Sequence, residues 1–477
     1  MRRFTTQQAF KVDNPFNGST YCTIQLLTED AVKTLVQRSQ SAQSTWKHVS
    51  LQERIRVCTK FMEYFEVNKD EVAKDISGQM GKPVKHALGE IGGLGERTRA
   101  FIDMAPTALS NFPIGPTTNN KDTINFSRTI VKEPVGTVLT LAPWNYPLLT
   151  AVNSVIPAVL AGNAVLVNHG FRAPLVSEHF QKAFEYAGGP PGLVSSLKCD
   201  YETLHRGIRA GLYDFVSFTG SVPGGRAVQQ SVAAANERQF IDATLELGGN
   251  DGAYVSEQCK LGAAVATIVD GAMFNAGQSC CGIERVFVHE SMYDSFIEKA
   301  RQEILDTYNN LGDPTEADTV MGPMAQPQAT EHLSNLVRDA TSKGAKVVLG
   351  GKKTDHHNAR FFSPTLISDC DSSMMVMKEE SFGPLLAVQK VGSMDEGIRG
   401  INGSLYGLTS AIFTQNKEEA SRFGDQVDVG TVFMNRADYL DPYMPWQGRK
   451  LTGKGLSLSQ FGFEAFTRLK NYHFKFI

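Results

Sequence analysis

The chain has little that would tie it to a membrane, a metal or a nucleic acid. No apolar run approaches the ~18 residues that a membrane span needs. Its 47 Lys+Arg nearly balance 50 Asp+Glu, so no strong field favours an anionic polymer or lipid surface. The seven cysteines, Cys22, Cys58, Cys199, Cys259, Cys280, Cys281 and Cys370, are odd in number, scattered and without a Cys-x-x-Cys spacing. That argues against a disulfide framework or a zinc site and fits a reducing, cytoplasmic setting. The ten histidines form no His-x-x-x-His pair, and His356-His357, in a polar stretch, is read as solvated surface. Arg2 and Arg3 have no apolar core behind them, so no signal peptide is expected. There is no internal repeat and no low-complexity segment.

What remains is a globular chain. At 477 residues, 42% hydrophobic and 20% charged, it is too long for one core and predicts two or three domains. Residues 1–20 read as irregular, with a turn cluster at Asn14-Pro15-Phe16-Asn17-Gly18. From Asp30 to about Ser110 the pattern is helical, with a capping box at Ser50-Leu51-Gln52-Glu53. Gly89 to Gly95 is glycine-rich for a helix, which suits close packing. Lys121 to Lys132 alternates polar and apolar residues, as a half-exposed edge strand would; Tyr472-His473-Phe474-Lys475-Phe476 does the same.

From Glu133 the regime changes. Short apolar strands are expected at Thr137–Leu141, Ala164–Val167, Phe215–Phe218 and Thr244–Leu247, each running into Gly, Pro or Asn, with helical patterns between them. After Gly249 the alternation resumes, with strands at Arg285–His289, Lys346–Leu349, Leu385–Val391, Thr409–Thr414 and Gly430–Asn435. Such alternation predicts α/β architecture with doubly wound parallel sheets, whose ligands bind beyond the strands' carboxyl ends.

Chemistry-bearing residues cluster at those ends. Cys280 and Cys281 follow Gly277 at a helix-to-strand junction, where backbone N–H groups can favour a thiolate; two buried thiols in a core are the plain alternative. Asn145 can donate its amide to an oxyanion, or simply make a turn. Glu246 interrupts an apolar strand, so burial should tune it toward a general base, unless it is ion-paired. Phe218-Thr219-Gly220-Ser221 opens a helix and suits a phosphate, although it is no Gly-x-Gly-x-x-Gly fingerprint. Glu379-Glu380-Ser381-Phe382-Gly383-Pro384 puts a carboxylate and an aromatic before a rigid turn; a charged surface turn would read the same.

In this order the segments Pro143-Trp144-Asn145-Tyr146-Pro147, Phe218–Ser221, Leu245-Glu246-Leu247-Gly248-Gly249, Phe274–Cys280, Glu379–Pro384 and Pro445-Trp446-Gln447-Gly448 resemble the aldehyde dehydrogenase superfamily, from Asn14 to about Lys470. The resemblance implies oxidation of an aldehyde to an acid with hydride transfer to NAD or NADP. It makes Cys280 the nucleophile, Asn145 and the Cys280 N–H the oxyanion holders, and Glu246 the base that activates water against the thioester. It sets the cofactor against Trp144, Asn168, Gly220, Ser221, Leu247, Glu380 and Phe382, and the substrate against Tyr146 and Trp446. It implies no metal. Cys281 becomes a bystander or a redox-protective neighbour.

Three positions depart from the family. Asn168 stands where a Lys usually holds the adenosine ribose, Phe171 where NAD-preferring members often have Glu, and Gln447 where a Gly is common. Asn168 and Phe171 leave NAD against NADP open and motivate a cofactor-independent thiol esterase or acyltransferase as an alternative, while Gln447 bears on the tunnel wall or nearby backbone; a silent scaffold that has kept the fold is a further alternative. The implied domains are cofactor-binding (1–111 and 133–249), catalytic (250–445) and an oligomerisation element with the C-terminal tail (112–132 and 446–477). That last element implies a homodimer or homotetramer. The expected partner is a small aldehyde, with no nucleic acid and no membrane.

Overall fold

The structure is a computed structural model that describes residues 9–115, 126–235, 240–354 and 360–476. His356-His357 and residues 121–125 of the alternating run lie outside them.

Two large sheets carry the fold. The first orders its six strands as Gly453–Lys454, Asp242–Glu246, Phe215–Thr219, Thr137–Leu141, Ala164–Asn168 and Val194–Ser196. All neighbours are parallel except the first pair. The strand Thr137–Leu141 is buried along its whole length. Its alternating side chains serve two cores: Val138 packs with Val165 and Val167 on one face, Leu139 and Leu141 with Leu166 on the other. Both faces are thus covered, which is why these strands read as continuous apolar runs rather than alternations.

Register fixes where the chemistry emerges. Leu141 lies opposite both Asn168 and Phe218, and Thr219 opposite Glu246. The residues that follow each strand therefore leave the same carboxyl edge of the sheet. The strand expected at Thr244–Leu247 ends at Glu246, so Leu247 is already in the turn.

The second sheet has seven strands, in the order Lys346–Leu349, Thr365–Ser368, Leu385–Val391, Ile283–His289, Asp251–Val255, Thr409–Phe413 and Thr431–Met434. Only the Lys346–Leu349 edge runs antiparallel. These are doubly wound, Rossmann-like sheets. A third, three-stranded sheet pairs Thr467–Lys475 with Phe126–Pro134 and the latter with Phe112–Pro113, all antiparallel. It brings the two edge-like segments together.

Two local expectations need correction. Residues 9–25 are not irregular: Ala9–Asp13 and Thr20–Gln25 form an antiparallel hairpin around the Asn14–Gly18 turn. Its strands carry few buried side chains (Val12 and Ile24 among them), so the apolar signal is thin. At Ser50 only half of the capping box forms. Ser50 Oγ accepts from the Glu53 N–H, but the Glu53 carboxylate turns to the Arg56 guanidinium instead of reaching back.

Candidate active site

One cavity of about 1420 Å³ opens at the carboxyl edge of the first sheet. Cys280, Glu246 and Asn145 line it, and so do Trp144, Asn168, Gly220, Ser221, Leu247, Glu380, Phe382, Tyr146 and Trp446. The structure therefore brings every predicted site residue to one space.

The cysteine stretch is held by an unusual turn. Helix Leu261–Met273 stops, and Asn275, Ala276 and Gly277 all take left-handed φ of 55°, 56° and 67°. Ala276 is there without the freedom of glycine, at a cost of about 1–2 kcal/mol. The turn is pinned from several sides: the Asn275 amide donates to the Asn145 carbonyl (3.2 Å), and the Ala325 N–H donates to Gln278 Oε1 (2.9 Å). Gly277 cannot be replaced cheaply, because a Cβ there would lie 2.1 Å from the Gly383 carbonyl oxygen. Behind the thiol, a Cβ on Gly249 would meet the Cys280 carbonyl oxygen at 1.9 Å. The paired glycines after Glu246 thus let the two loops touch backbone to backbone.

Both cysteines line the cavity, Cys280 half-buried and Cys281 buried. Cys281 Sγ donates to Asp438 Oδ1 at 2.8 Å, and Ser279 Oγ donates to the same oxygen at 3.1 Å. The hydrogen bond with Cys280, then burial and the Asp438 carboxylate, push the Cys281 thiol well above its ordinary value. It is held as a neutral thiol, which distinguishes it from its neighbour on physical grounds beside the family resemblance.

Asn145 is buried, and its Nδ2 donates to the Gln278 carbonyl at 3.1 Å. An amide nitrogen carries two hydrogens, so this bond orients the group and leaves one. Glu246 is half-buried and lines the cavity. Burial pushes its carboxyl up from the ordinary range, against the opposing pull of Ser457, Arg97 and Thr219. Thr219 Oγ1 lies 3.4 Å from its Oε2.

The other end of the cavity suits a dinucleotide. Ser221 caps helix Val222–Ala233 by accepting from the Gly224 N–H, and Gly220, Ser221 and Gly224 all line the wall. A helix N-terminus there favours a pyrophosphate. Glu380 Oε1 accepts from the Gly249 N–H at 2.8 Å, and burial pushes this carboxyl up to about 8. Phe382, at φ 45°, meets Trp144 edge-to-face at 5.7 Å. At the adenosine end, Asn168 is already engaged: its Nδ2 donates to the Leu197 carbonyl and its Oδ1 accepts from the Gly170 N–H. Phe171 stands between Phe10 and Tyr201, edge-on to both. Neither residue offers the charge that would select for or against a ribose phosphate.

Three supporting residues escaped the sequence reading because their partners are distant in the chain. Glu284, buried, accepts from the N–H groups of Ser381 and Phe382 and from Ser381 Oγ, and so fixes the Glu380 turn. Asp438 orders the cysteine loop. Glu90 Oε1 accepts from the Leu148 and Leu149 N–H groups, capping the helix that starts just past Asn145, while its Oε2 pairs with Lys82 at 2.5 Å. Lys82 also lies over the Tyr146 ring. Both members of this pair are nearly inaccessible to water. Glu90→Gln should therefore cost about 3–5 kcal/mol of stability, because it strands a buried ammonium. An unpaired Lys82 has a folded pKa below its unfolded value, so the loss is full at neutral pH and shrinks as pH rises toward 10; urea titrations at two pH values would measure it.

Comparisons with known proteins place this geometry. The Aldehyde dehydrogenase family profile matches residues 3–472. The chain is 31% identical to succinate-semialdehyde dehydrogenase (NADP+) 1 of Mycobacterium tuberculosis, over 96% of this chain and 98% of that one. Among solved structures it superposes on betaine aldehyde dehydrogenase from Staphylococcus aureus in complex with NAD+ (TM-score 0.90, 26% identity, 98% of this chain and 91% of that one). It also superposes on the NADP-dependent glyceraldehyde-3-phosphate dehydrogenase of Bacillus halodurans complexed with NADP (TM-score 0.91, 26% identity, 98% and 96%).

Proposed function

Because this chain belongs to the aldehyde dehydrogenase family, it oxidises an aldehyde with NAD or NADP, and we propose that Cys280, Asn145 and Glu246 carry the reaction. The observation that supports this most is the split between the two cysteines at the cavity wall, with Cys280 the more exposed and Cys281 buried and bound to Asp438. Cys280 Sγ, as thiolate, bonds to the aldehyde carbon. The carbonyl oxygen takes up the negative charge and accepts hydrogen bonds from Asn145 Nδ2 and the Cys280 N–H. The nicotinamide cofactor, when bound, supplies the acceptor for the hydride that leaves this carbon. Cys280 then holds the acyl group as a thioester. Glu246 takes a proton from water, the hydroxide adds to the acyl carbon, and the sulfur departs as the acid forms. Glu380, Ser221 and the Trp144–Phe382 pair would hold the cofactor, with Gly220 and Leu247 lining its bed. Asn168 contributes by shaping the turn rather than by a free polar group.

We assign residues 1–111 and 133–249 to cofactor binding, 250–445 to catalysis, and 112–132 with 446–477 to assembly and the tail. Seven free thiols support a reducing, cytoplasmic setting, and no helix among the described residues is long and apolar enough to cross a membrane. The reading is tested by a screen of aldehydes against both cofactors, following absorbance of the reduced nicotinamide. Silence across a broad panel by protein with Cys280 reduced would end it.

The three-stranded sheet supports a homodimer or homotetramer. Its last strand leaves Leu469 and Phe474 exposed, with Phe476 just beyond, and Phe112 is exposed on the short strand. Leu469 and Phe112 lie on one face of this sheet and Phe474 on the other, and exposed apolar side chains on so small a sheet suit protein contacts. Leu469→Glu combined with Phe474→Glu should shift the mass found by light scattering to that of one chain.

A further inference from the structure

Arg97 is a cation that the reaction above does not use. It belongs to helix Val84–Ala108, which packs against helix Pro147–Ala161 where that helix leaves Asn145. Only 7% of the residue is exposed, yet it lines the cavity beside Gly93, Leu149, Thr150 and Asn153. Nη1 donates to the Leu149 carbonyl (2.7 Å) and to Asn153 Oδ1 (3.1 Å), which fixes the guanidinium plane. Nη2 and Nε have no protein acceptor among the described residues, and no carboxylate there forms an ion pair with Arg97. Buried charges are normally paired. The other arginine on this wall, Arg172, is paired, to Asp13.

The surrounding acids do not fill this role. Glu90 is committed to Lys82 and to a helix end, Asp438 to Ser279 and Cys281, and Asp270 to the Tyr308 hydroxyl. Glu96, on the same helix, is exposed at the cavity rim. Glu246 lies within electrostatic reach of the guanidinium, and so does Cys281 next to the nucleophile. Cys280 and Arg97 line the same cavity, so one substrate can present an aldehyde to the thiol and an anion to the guanidinium.

We propose that Arg97 is a specificity-determining residue and that the substrate is a short aldehyde with a carboxylate at its far end. The planar fork Nη2–Nε suits two carboxylate oxygens. This inference rests on the aldehyde-oxidising reading of the cavity.

The test compares 4-oxobutanoate with butanal, which has the same four carbons and no charge. The wild-type protein should favour 4-oxobutanoate in kcat/KM by more than tenfold. In Arg97→Met that preference should fall about 100-fold, mainly through KM, as truncating one partner of a buried charge pair does; Arg97→Lys should restore part of it. A second arm needs neither cofactor nor turnover. Succinate should slow alkylation of Cys280 by iodoacetamide, read by peptide mass spectrometry, in the wild type but not in Arg97→Met. Equal losses with both aldehydes in kcat would mean that Arg97 serves Glu246 or the fold, and would overturn the proposal. A wild-type ratio near one, or no protection by succinate, would overturn it too. If neither aldehyde reduces NAD or NADP while others in the broad panel do, the proposal fails and the aldehyde-oxidising reading stands.

Discussion

Cys280→Ala should reduce aldehyde oxidation by roughly a million-fold, the scale seen when an enzyme loses the nucleophile of a cooperating set. The loss should fall on kcat and leave cofactor binding in place, because no residue assigned to the dinucleotide depends on this sulfur. Quenching of protein fluorescence by NAD or NADP would check that, and a melting curve would check the fold. The informative control is Cys281→Ser. That thiol donates to Asp438, and a serine hydroxyl can make the same bond, so most activity should survive. A dead Cys281→Ser beside a working Cys280→Ala would reverse the assignment of the two sulfurs.

Glu246→Gln should divide the reaction in time. Formation of the thioester does not need the base, so the first turnover should release one reduced cofactor per site. Hydrolysis does need it, and steady-state turnover should drop by roughly 10²–10⁴-fold, the usual contribution of a positioned base. Stopped-flow absorbance would show the burst and the slow phase together; loss of the burst itself would give Glu246 an earlier role. The wild-type pH profile follows from burial. The base works only when ionised, and its carboxyl is raised above the ordinary value. Turnover should therefore fall as pH drops through a midpoint higher than that of a free glutamate, and Glu246→Gln should lack this limb.

Much of the sheet architecture was legible because its strands are short, apolar and punctuated. Thr137–Leu141 and Leu385–Val391 match their expected bounds; the first is buried throughout, the second over its first four residues, and each runs into Gly or Ala-Pro. Glu246 stood out for a related reason, because a carboxylate inside an apolar strand is costly; Cys280 stood out from Cys281 only through the family motif. The scaffolding behind them was not legible. Glu90 reads as a polar position on a long helix, and Glu284 as a charge opening a strand; only the folded chain reveals that one caps the helix after Asn145 and the other holds the Glu380 turn. Arg97 escaped for the same reason. Nothing in the local pattern of Gly95-Glu96-Arg97-Thr98 says which of the two charges points inward.

The short strand Gly453–Lys454 joins parts that could otherwise be treated separately. It lies antiparallel to the strand that ends in Glu246, with Gly453 directly opposite that carboxylate's residue, and the Leu247 N–H donates to the Thr452 carbonyl. The same run of chain continues into Thr467–Lys475, the outer strand of the sheet assigned to assembly. Clipping the end of the protein to obtain single subunits would therefore unstitch the seam beneath the water-activating group as well. Point changes on the outer strand are the cleaner tool for asking whether subunits in isolation still turn over.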